Sequence, residues 1–158
     1  MVEIREKMGE IMFFGYYEHN LDDRNRLMIP SKIRDELKPG EVIYAVKGFD
    51  GCLAIYSEAG FENLMKEVEL LSNMDKEART YLRILLSSVT PLNLDKLGRI
   101  SLPVLLTEKH HIKKSVVVLG INDHFEIWDK ELYEAYQKEH EAKFEDVADM
   151  LVKRNGEL

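Results

Sequence analysis

The sequence predicts an α+β protein that is built from two copies of one small unit. The main observation is a ten-residue motif that occurs twice, as LDDRNRLMIP at positions 21–30 and as LDKLGRISLP at positions 94–103. Short segments with alternating apolar residues follow each copy, which is typical of half-buried strands. Longer segments with apolar residues at helical spacing predict the helices. Because an internal repeat of this kind fixes the architecture, the two copies predict two similar folding units.

The motif itself predicts a tight turn that leads into a strand. Asn25 and Gly98 occupy the same motif position, and these residue types adopt positive φ most readily. We therefore expect this position to act through its backbone and not through its side chain. Asp22 and Asp95 precede it by three residues and are placed to accept backbone N–H groups across the turn. These four residues form the predicted motif scaffold.

After the motif, the two copies continue in parallel. Pro30 and Pro103 suit the first position of a short helix. Two apolar segments joined by a hairpin signal follow in each copy, at 42–48 and 52–56 in the first and at 116–120 and 124–128 in the second. Each unit therefore reads strand, turn, strand, short helix, strand, hairpin, strand. One unit is too small to bury a core alone, whereas two interleaved copies are large enough.

Helical segments lie within, between and after the two copies. The first copy contains a short helix at 31–37, and Ser57 caps a helix whose apolar stripe is Phe61, Leu64, Val68 and Leu71. A further helix begins near Asp75, and its buried side carries Ala78, Leu82 and Leu85. Asp129 caps a last helical region, broken near Ala142, whose apolar stripe is Leu132, Tyr136, Phe144, Val147 and Leu151. The sequence leaves open whether this last stripe packs on its own chain or on a neighbouring subunit.

Composition and charge restrict the possible function classes. The chain has 158 residues and a formal net charge of −7, which alone argues against nucleic acid, but its basic residues concentrate around the first motif. No segment approaches the roughly 18 apolar residues of a membrane span. The N-terminus lacks the apolar core of a signal peptide. The single cysteine, Cys52, excludes an internal disulfide and fits a reducing cytoplasm.

The sequence lacks the common motifs for catalysis and cofactor binding. It contains no P-loop, no Gly-x-Gly-x-x-Gly, no His-Glu-x-x-His and no Gly-x-Ser-x-Gly. His110 and His111 have no second His or Cys cluster at ligand spacing, so we interpret them as ordinary loop histidines and not as a metal site. Cys52 has no nucleophile signature and is interpreted as a small residue at a hairpin. The sequence therefore predicts no enzyme, no cofactor and no metal.

The basic residues around the two turns are the candidates for recognition. Arg26 and Arg99 directly follow their turns, and a planar guanidinium suits a phosphate or a base edge. Each of them has a compatible second role as the salt-bridge partner of the aspartate four residues earlier. The candidate DNA-binding residues are Arg24, Arg26, Arg34, Lys96 and Arg99. The first copy is richer in arginine, because Leu97 and Thr107 stand in the second copy where the first has Arg24 and Arg34.

A second basic surface is predicted on the helix that begins near Asp75. Arg79 and Arg83 lie on one face of that helix, because residues four apart are neighbours on a helix surface. They either contact DNA phosphate or the next subunit, or they belong to a solvated face with local ion pairs, for which Asp75 and Arg79 are suitably spaced. The sequence does not separate these alternatives.

The twin Asp-x-x-x-Arg turns, each continued by Arg-x-x-x-Pro, resemble the MraZ family of bacterial transcriptional regulators, whose chains carry two SpoVT-AbrB-type repeats. The segments MFFG at 12–15, GFDGCL at 48–53 and FEIW at 125–128 resemble the same family. The resemblance implies an AbrB-like swapped-hairpin β-barrel, formed by the two repeats within one chain and decorated with α-helices. It divides the chain into a mobile N-terminal extension, a first repeat, a helical connector, a second repeat and a C-terminal helical region, at 1–11, 12–58, 59–86, 87–130 and 131–158.

The same resemblance implies a function. It predicts a non-enzymatic, sequence-specific transcriptional regulator of the cytoplasm and nucleoid. Its ligand would be double-stranded DNA, at short direct repeats in the promoter of the division and cell-wall operon, usually its own. Several chains would close into a homo-oligomeric ring, which gains affinity on tandem sites through effective concentration. The alternative is a structural or assembly protein whose ring recruits a protein partner.

Overall fold

The computed structural model describes residues 11–156. The first repeat contains β1 (Phe13–Asn20), β2 (Arg26–Met28), α1 (Ser31–Arg34), β3 (Val42–Lys47) and β4 (Leu53–Tyr56). Two helices follow, α2 (Glu58–Glu69) and α3 (Lys76–Ser88). Of the N-terminal extension predicted at 1–11, residues 1–10 lie outside the described part of the chain.

The second repeat has the same order of elements as the first. It contains β5 (Thr90–Asn93), β6 (Arg99–Ser101), α4 (Val104–Lys109), β7 (Ser115–Asn122) and β8 (His124–Asp129). The described chain ends with α5 (Lys130–His140), a 3₁₀ turn (Glu141–Lys143) and α6 (Phe144–Asn155). The order strand, turn, strand, short helix, strand, hairpin, strand is therefore confirmed in both copies, as is the break near Ala142.

The two repeats exchange strands with each other. The larger sheet has six antiparallel strands in the order β1-β7-β8-β4-β3-β5. The first strand of each repeat pairs with the third strand of the other, so that β1 pairs with β7 and β5 pairs with β3. The second strands, β2 and β6, pair with each other and form a separate two-stranded ribbon. The copies are thus interleaved, as the small size of one unit predicted.

The main core lies between the larger sheet and the ribbon. Successive side chains of a strand point to opposite faces, so each strand contributes alternate residues to this core. Leu27 of β2 and Ile100 of β6 are paired, fully buried and directed inward. The sheet contributes Phe13, Ile43, Ala45, Leu53, Ile55, Leu92, Val116, Val118, Phe125 and Ile127. Because burial of one such side chain is worth roughly 1.5–3 kcal/mol, the inward face of the ribbon is fixed, and its other face is left for solvent or a ligand.

The helices cover the opposite face of the larger sheet. The cluster beneath α2 and α3 contains Val46, Ala54, Val68 and Leu85. The cluster beneath α5 contains Cys52, Val117, Leu119 and Trp128, with Tyr133 and Tyr136 packed against it. The ribbon and the helices therefore lie on opposite sides of the sheet. Within the described residues, no helix is both long and apolar enough to cross a membrane.

The helix caps predicted at Ser57 and Asp129 are confirmed, and Asp75 caps a third helix. The side chains of Ser57, Asp75 and Asp129 each accept a backbone N–H in the first turn of α2, α3 and α5. Pro30 and Pro103 differ slightly from the prediction, because they cap α1 and α4 with extended ψ angles of 139° and 140° and are not the first helical residues.

One prediction about a helix face is wrong. Leu71 lies beyond the end of α2 and is exposed, because the helix ends at Glu69, before the apolar periodicity does. On α5, Tyr133 and the predicted stripe residue Tyr136 both pack on Trp128, whereas Leu132 of the same stripe is 43% exposed in the single chain. The indole of Trp128 offers a large apolar surface, and the ring of Tyr133 makes an edge contact with it, with ring centroids 5.2 Å apart.

The ion pair predicted between Asp75 and Arg79 is replaced by two other hydrogen bonds. The carboxylate of Asp75 accepts from the backbone N–H of Glu77 at 3.0 Å. Arg79 Nη1 donates to the carbonyl of Asn73 at 2.8 Å. Capping a helix and closing the preceding loop satisfy backbone groups that have no other partner, which outweighs a solvent-exposed ion pair.

Candidate nucleic-acid interface

The first turn is organised by one carboxylate. Asp22 Oδ1 accepts the backbone N–H groups of Arg24 and Arg26, each at 2.9 Å. Its other oxygen, Oδ2, accepts from Arg26 Nε at 2.7 Å. The backbone closes the same turn, since the N–H of Asn25 donates to the carbonyl of Asp22 at 3.0 Å. The predicted scaffold role of Asp22 and its predicted pairing with Arg26 are therefore both seen in the geometry.

The second turn repeats this hydrogen-bond pattern. Asp95 Oδ1 accepts the backbone N–H groups of Leu97 and Arg99, each at 2.9 Å. Asp95 Oδ2 accepts from Arg99 Nε at 2.8 Å, and Gly98 N–H donates to the carbonyl of Asp95 at 3.0 Å. In both turns the arginine uses Nε for the aspartate. The two terminal nitrogens of each guanidinium keep four further N–H donors for other partners.

These hydrogen bonds lower the pKa of both aspartates. The backbone N–H of Arg26 is the main reason that the pKa of Asp22 lies below its ordinary value of 3.8. The backbone N–H of Arg99 lowers the pKa of Asp95 in the same way. Hydrogen bonds to a carboxylate favour its charged form, so both turns are held by ionised aspartates at neutral pH.

The motif position shared by Asn25 and Gly98 has the predicted left-handed backbone. Asn25 has φ of 60° and Gly98 has φ of 87°. This conformation directs each carbonyl toward the other repeat. The carbonyl of Asn25 accepts from Leu102 N–H, and that of Gly98 accepts from Ile29 N–H, each at 3.0 Å. The turns therefore join the two ends of the ribbon as well as reversing the chain.

The expectation that this position acts only through its backbone is wrong for Asn25. Its Nδ2 donates to the carbonyl of Leu102 at 2.7 Å and lies 3.3 Å from Thr107 Oγ1. Both partners belong to the second repeat, 77 and 82 residues away in the sequence. Sequence reasoning missed them because neither lies near the first turn along the chain.

Arg26 and Arg99 lie on the same outer face of the ribbon. In the register of β2 and β6, Arg26 is opposite Ser101 and Met28 is opposite Arg99. Because Leu27 and Ile100 point into the core, these four residues point outward. The two arginines are diagonal neighbours, which places their positions about 7–8 Å apart. Their side chains are 26% and 25% exposed, so part of each remains accessible.

The tips of the two turns differ in chemistry. Arg24 and Lys96 are exposed. Leu97, which stands at the position of Arg24, is 61% exposed. Asp22 and Asp23 balance Arg24 and Arg26 in the first turn, so the excess of positive charge over both turns is small.

Arg34, a residue of the first repeat, packs on the turn of the second repeat. A Cβ added at Gly98 would overlap Arg34 Nη1 and would lie 2.6 Å from Arg34 Cδ. The side chain of Arg34 therefore lies directly against the second turn. Within the described residues, its buried Nε has no hydrogen-bond partner. The aligned repeats contain a signal for this arrangement. The first repeat has Asn25 where the second has Gly98, and the second has Thr107 where the first has Arg34. Alignment alone does not show which of these residues touch.

The alternative basic residues lie on the other side of the molecule. Arg79 and Arg83 belong to α3, which packs on the face of the sheet opposite the ribbon. Arg79 is also engaged with the carbonyl of Asn73. One flat contact with DNA therefore cannot include both these residues and the ribbon.

The remaining candidate residues have structural surroundings. His110 lies in the turn that directly follows α4, as predicted, but it is 5% exposed and its Nδ1 lies 3.0 Å from the carbonyl of Leu106, so its ring is packed into the core. Burial lowers its pKa. Cys52 is fully buried next to Trp128, and burial raises the pKa of its thiol. In the described part of the chain, no group of three or more His, Cys, Asp or Glu side chains could hold a metal ion.

Comparisons with known proteins agree with the duplicated structure. The family model for the MraZ protein matches the chain twice, over residues 12–84 and 85–155. The protein named transcriptional regulator MraZ from Mesoplasma florum is 38% identical over 141 residues, which cover 89% of this chain and 96% of that protein. The protein of the same name from Caldanaerobacter subterraneus subsp. tengcongensis is 38% identical over 140 residues, with the same two coverages. The one from Finegoldia magna is 37% identical over 140 residues, again covering 89% of this chain and 96% of its own. The chain therefore belongs to the MraZ family and carries one family unit in each half.

Proposed function

We propose that this protein is a sequence-specific DNA-binding transcriptional regulator without catalytic activity, and that it presents the β2–β6 ribbon and its two turns to double-stranded DNA. The observation that carries the proposal is the shared outer face of Arg26 and Arg99, each held in place by an aspartate. A two-stranded antiparallel ribbon fits the major groove. A guanidinium that is already oriented loses less freedom when it binds a phosphate or a guanine edge.

The relatives give this interface a regulatory context. Proteins that are 37–38% identical to most of this chain are named transcriptional regulators. We propose that the DNA target is a set of short direct repeats in the promoter of the division and cell-wall operon. The contact residues would be Arg24, Arg26, Lys96 and Arg99, while Asp22, Asn25, Asp95 and Gly98 hold the turns. Arg34, the remaining candidate, lies against Gly98.

One chain offers only a small excess of positive charge at this interface, so we propose that several chains act together. A closed homo-oligomeric ring would present several ribbons to tandem sites, and binding of the first raises the effective concentration of the rest. The strand exchange of β1 with β7 and of β5 with β3 supports a swapped-hairpin barrel of the AbrB type in each protomer. Exposed apolar residues on α6, such as Phe144 and Met150 at 76% and 56%, support contacts between protomers.

Those same exposed residues favour a second candidate function. An apolar surface that is not covered within one chain is typical of an interaction site. The ring would then be a scaffold for a protein partner, and the ribbon would have no role in DNA binding. The two candidates differ in salt dependence, since neutralising phosphates makes DNA affinity fall steeply with salt.

Footprinting across the protein's own promoter is the decisive experiment. We expect protection at regularly spaced direct repeats, and loss of protection for the Arg26→Ala, Arg99→Ala double variant. Arg83→Ala is the matched control, because it removes one arginine from the opposite side of the sheet. Equal affinity for the promoter and for scrambled DNA at several salt concentrations would contradict sequence-specific recognition. Unchanged protection by the double variant would exclude the ribbon.

A further inference from the structure

Two pairs of residues cross between the repeats at equivalent positions. The fourth residue after the motif proline is Arg34 in the first repeat and Thr107 in the second. Arg34 packs against Gly98, and Thr107 lies against Asn25. Each turn is therefore closed by a side chain of the other repeat.

The two pairs are complementary in size and in bonding. Gly98 has no side chain, and the space beside it is filled by the guanidinium of Arg34. Asn25 has a side chain that reaches Leu102 and Thr107, and the smaller threonine leaves room for it. Glycine is thus required at position 98 for two reasons, because φ is 87° and because Arg34 occupies the space that a side chain would need.

We propose that Arg34 is a positioning residue of the second turn, and that it supports DNA binding through that turn and not through the first. This inference rests on the proposed function for its consequence in DNA binding, but not for the contact itself. The planar guanidinium lies on the Gly98 backbone and limits the movement of the turn tip that carries Lys96. The second turn, which has Leu97 in place of Arg24, thereby obtains a second arginine beside Arg99 from the other repeat.

The buried Nε of Arg34 agrees with a packing role. An arginine that only reached for solvent or phosphate would not bury a donor, because leaving a buried donor unpaired is unfavourable. Within the described residues this Nε has no partner. Arg34 thus differs from Lys32 on the same helix, whose side chain is exposed.

The contact is tested without DNA by exchanging one pair for the other. Gly98→Asn should lower the melting temperature strongly, because the new Cβ overlaps Arg34 Nη1. Arg34→Thr should be mildly destabilising. The double variant Arg34→Thr, Gly98→Asn rebuilds the pair seen at the first turn and should melt well above Gly98→Asn. We expect a coupling of about 2-fold to 150-fold in the unfolding equilibrium constant. Additive effects would overturn the assignment of Arg34 to the second turn.

The consequence for DNA is tested by two double-mutant cycles with promoter DNA. The losses of DNA affinity caused by Arg34→Ala and by Lys96→Ala should be non-additive, because Lys96→Ala removes a group that Arg34 positions. Arg34→Ala should be additive with Arg24→Ala, which lies on the first turn. Coupling with Arg24→Ala, or no loss of affinity in Arg34→Ala, would overturn the inference. Lys32→Ala is the matched control and should be additive with both.

A conservative variant separates positioning from charge. Arg34→Lys keeps the positive charge but cannot lay a planar group on the Gly98 backbone. We expect it to bind DNA like Arg34→Ala and not like the parent protein. Full rescue by lysine would show that charge alone acts and would overturn the positioning role. If the parent protein bound no promoter DNA, the proposed function would fail, and the melting experiment would still decide whether Arg34 closes the second turn.

Discussion

The first and second turns share one backbone arrangement and differ in the side chains that close it. Asp22 and Asp95 accept the same three hydrogen bonds at nearly the same distances. The left-handed residue is Asn25 in one turn and Gly98 in the other, and only Asn25 bonds through its side chain. The comparison teaches that the aspartate and arginine define the turn locally, while the left-handed residue is matched to a partner on the other repeat.

Gly98→Val should cause the largest effect and should damage folding more than DNA contact. Backbone strain at positive φ and overpacking against Arg34 each cost about 1–3 kcal/mol, so a loss of roughly 2–6 kcal/mol in the free energy of unfolding is expected. Denaturant unfolding measures it. Gly40→Val is the control, because Gly40 has φ of 75° but no atom within 4 Å of the added Cβ. Equal losses in both variants would show that Arg34 does not restrict the second turn.

Arg26→Ala and Arg99→Ala should keep the fold while weakening DNA binding. A lost guanine contact should cost about 1–3 kcal/mol at the matched site only. A lost phosphate contact should instead lower the salt slope of log K by about 0.9 per subunit engaged, on any sequence. We expect more base reading in the first turn, because Arg24 and Arg26 lie there together. Titration of specific and scrambled DNA at several salt concentrations tests this, and identical behaviour of both variants would remove the distinction between the turns.

Asn25→Gly should destabilise the protein, contrary to the tolerance that sequence reasoning alone suggests. The change removes the hydrogen bond to the carbonyl of Leu102 and should cost about 1 kcal/mol. Thermal unfolding of the variant next to the parent protein measures the loss. A variant as stable as the parent would mean that the first turn, like the second, needs only its backbone.

Both turns should lose their aspartate contribution in acid. The pKa of Asp22 and of Asp95 is lower in the folded protein than its ordinary value of 3.8. Their stabilising effect is therefore present at a pH above that value and is lost as the pH falls through the folded pKa. Between about pH 5 and pH 2, Asp22→Asn and Asp95→Asn should show a smaller loss of stability than the parent protein. Parallel curves for parent and variants would contradict the role of the ionised carboxylates.

Leu97→Arg should have the smallest effect and should make the second turn resemble the first. Leu97 is exposed at the position of Arg24, so an arginine there needs no repacking. We expect unchanged stability and a salt slope of log K steeper by up to about 0.9 per subunit engaged. The measurement is binding to promoter DNA at several salt concentrations. No change in slope would indicate that the tip of the second turn stays away from the phosphates.

Much of the fold was predictable because its determinants are local. The turn depends on residues no more than four apart, since one aspartate reaches the N–H groups that follow it, and Asn25 and Gly98 favour positive φ. Alternation along β2 and β6 fixed which residues point inward, because a strand has a period of two. The caps at Ser57 and Asp129 follow from the same kind of short-range bonding.

Tertiary structure decided what the strand exchange brings together. Arg34 belongs to the first repeat, yet it packs on Gly98 in the second turn. His110 lies in the predicted loop after α4, yet the fold buries its ring. Asn25 bonds to Leu102 and Thr107, across 77 and 82 residues. A sequence repeat shows that two units are alike, but the residues that meet depend on how β2 and β6 pair. That pairing follows from the burial of a common core, to which both repeats contribute because neither is large enough to form one alone.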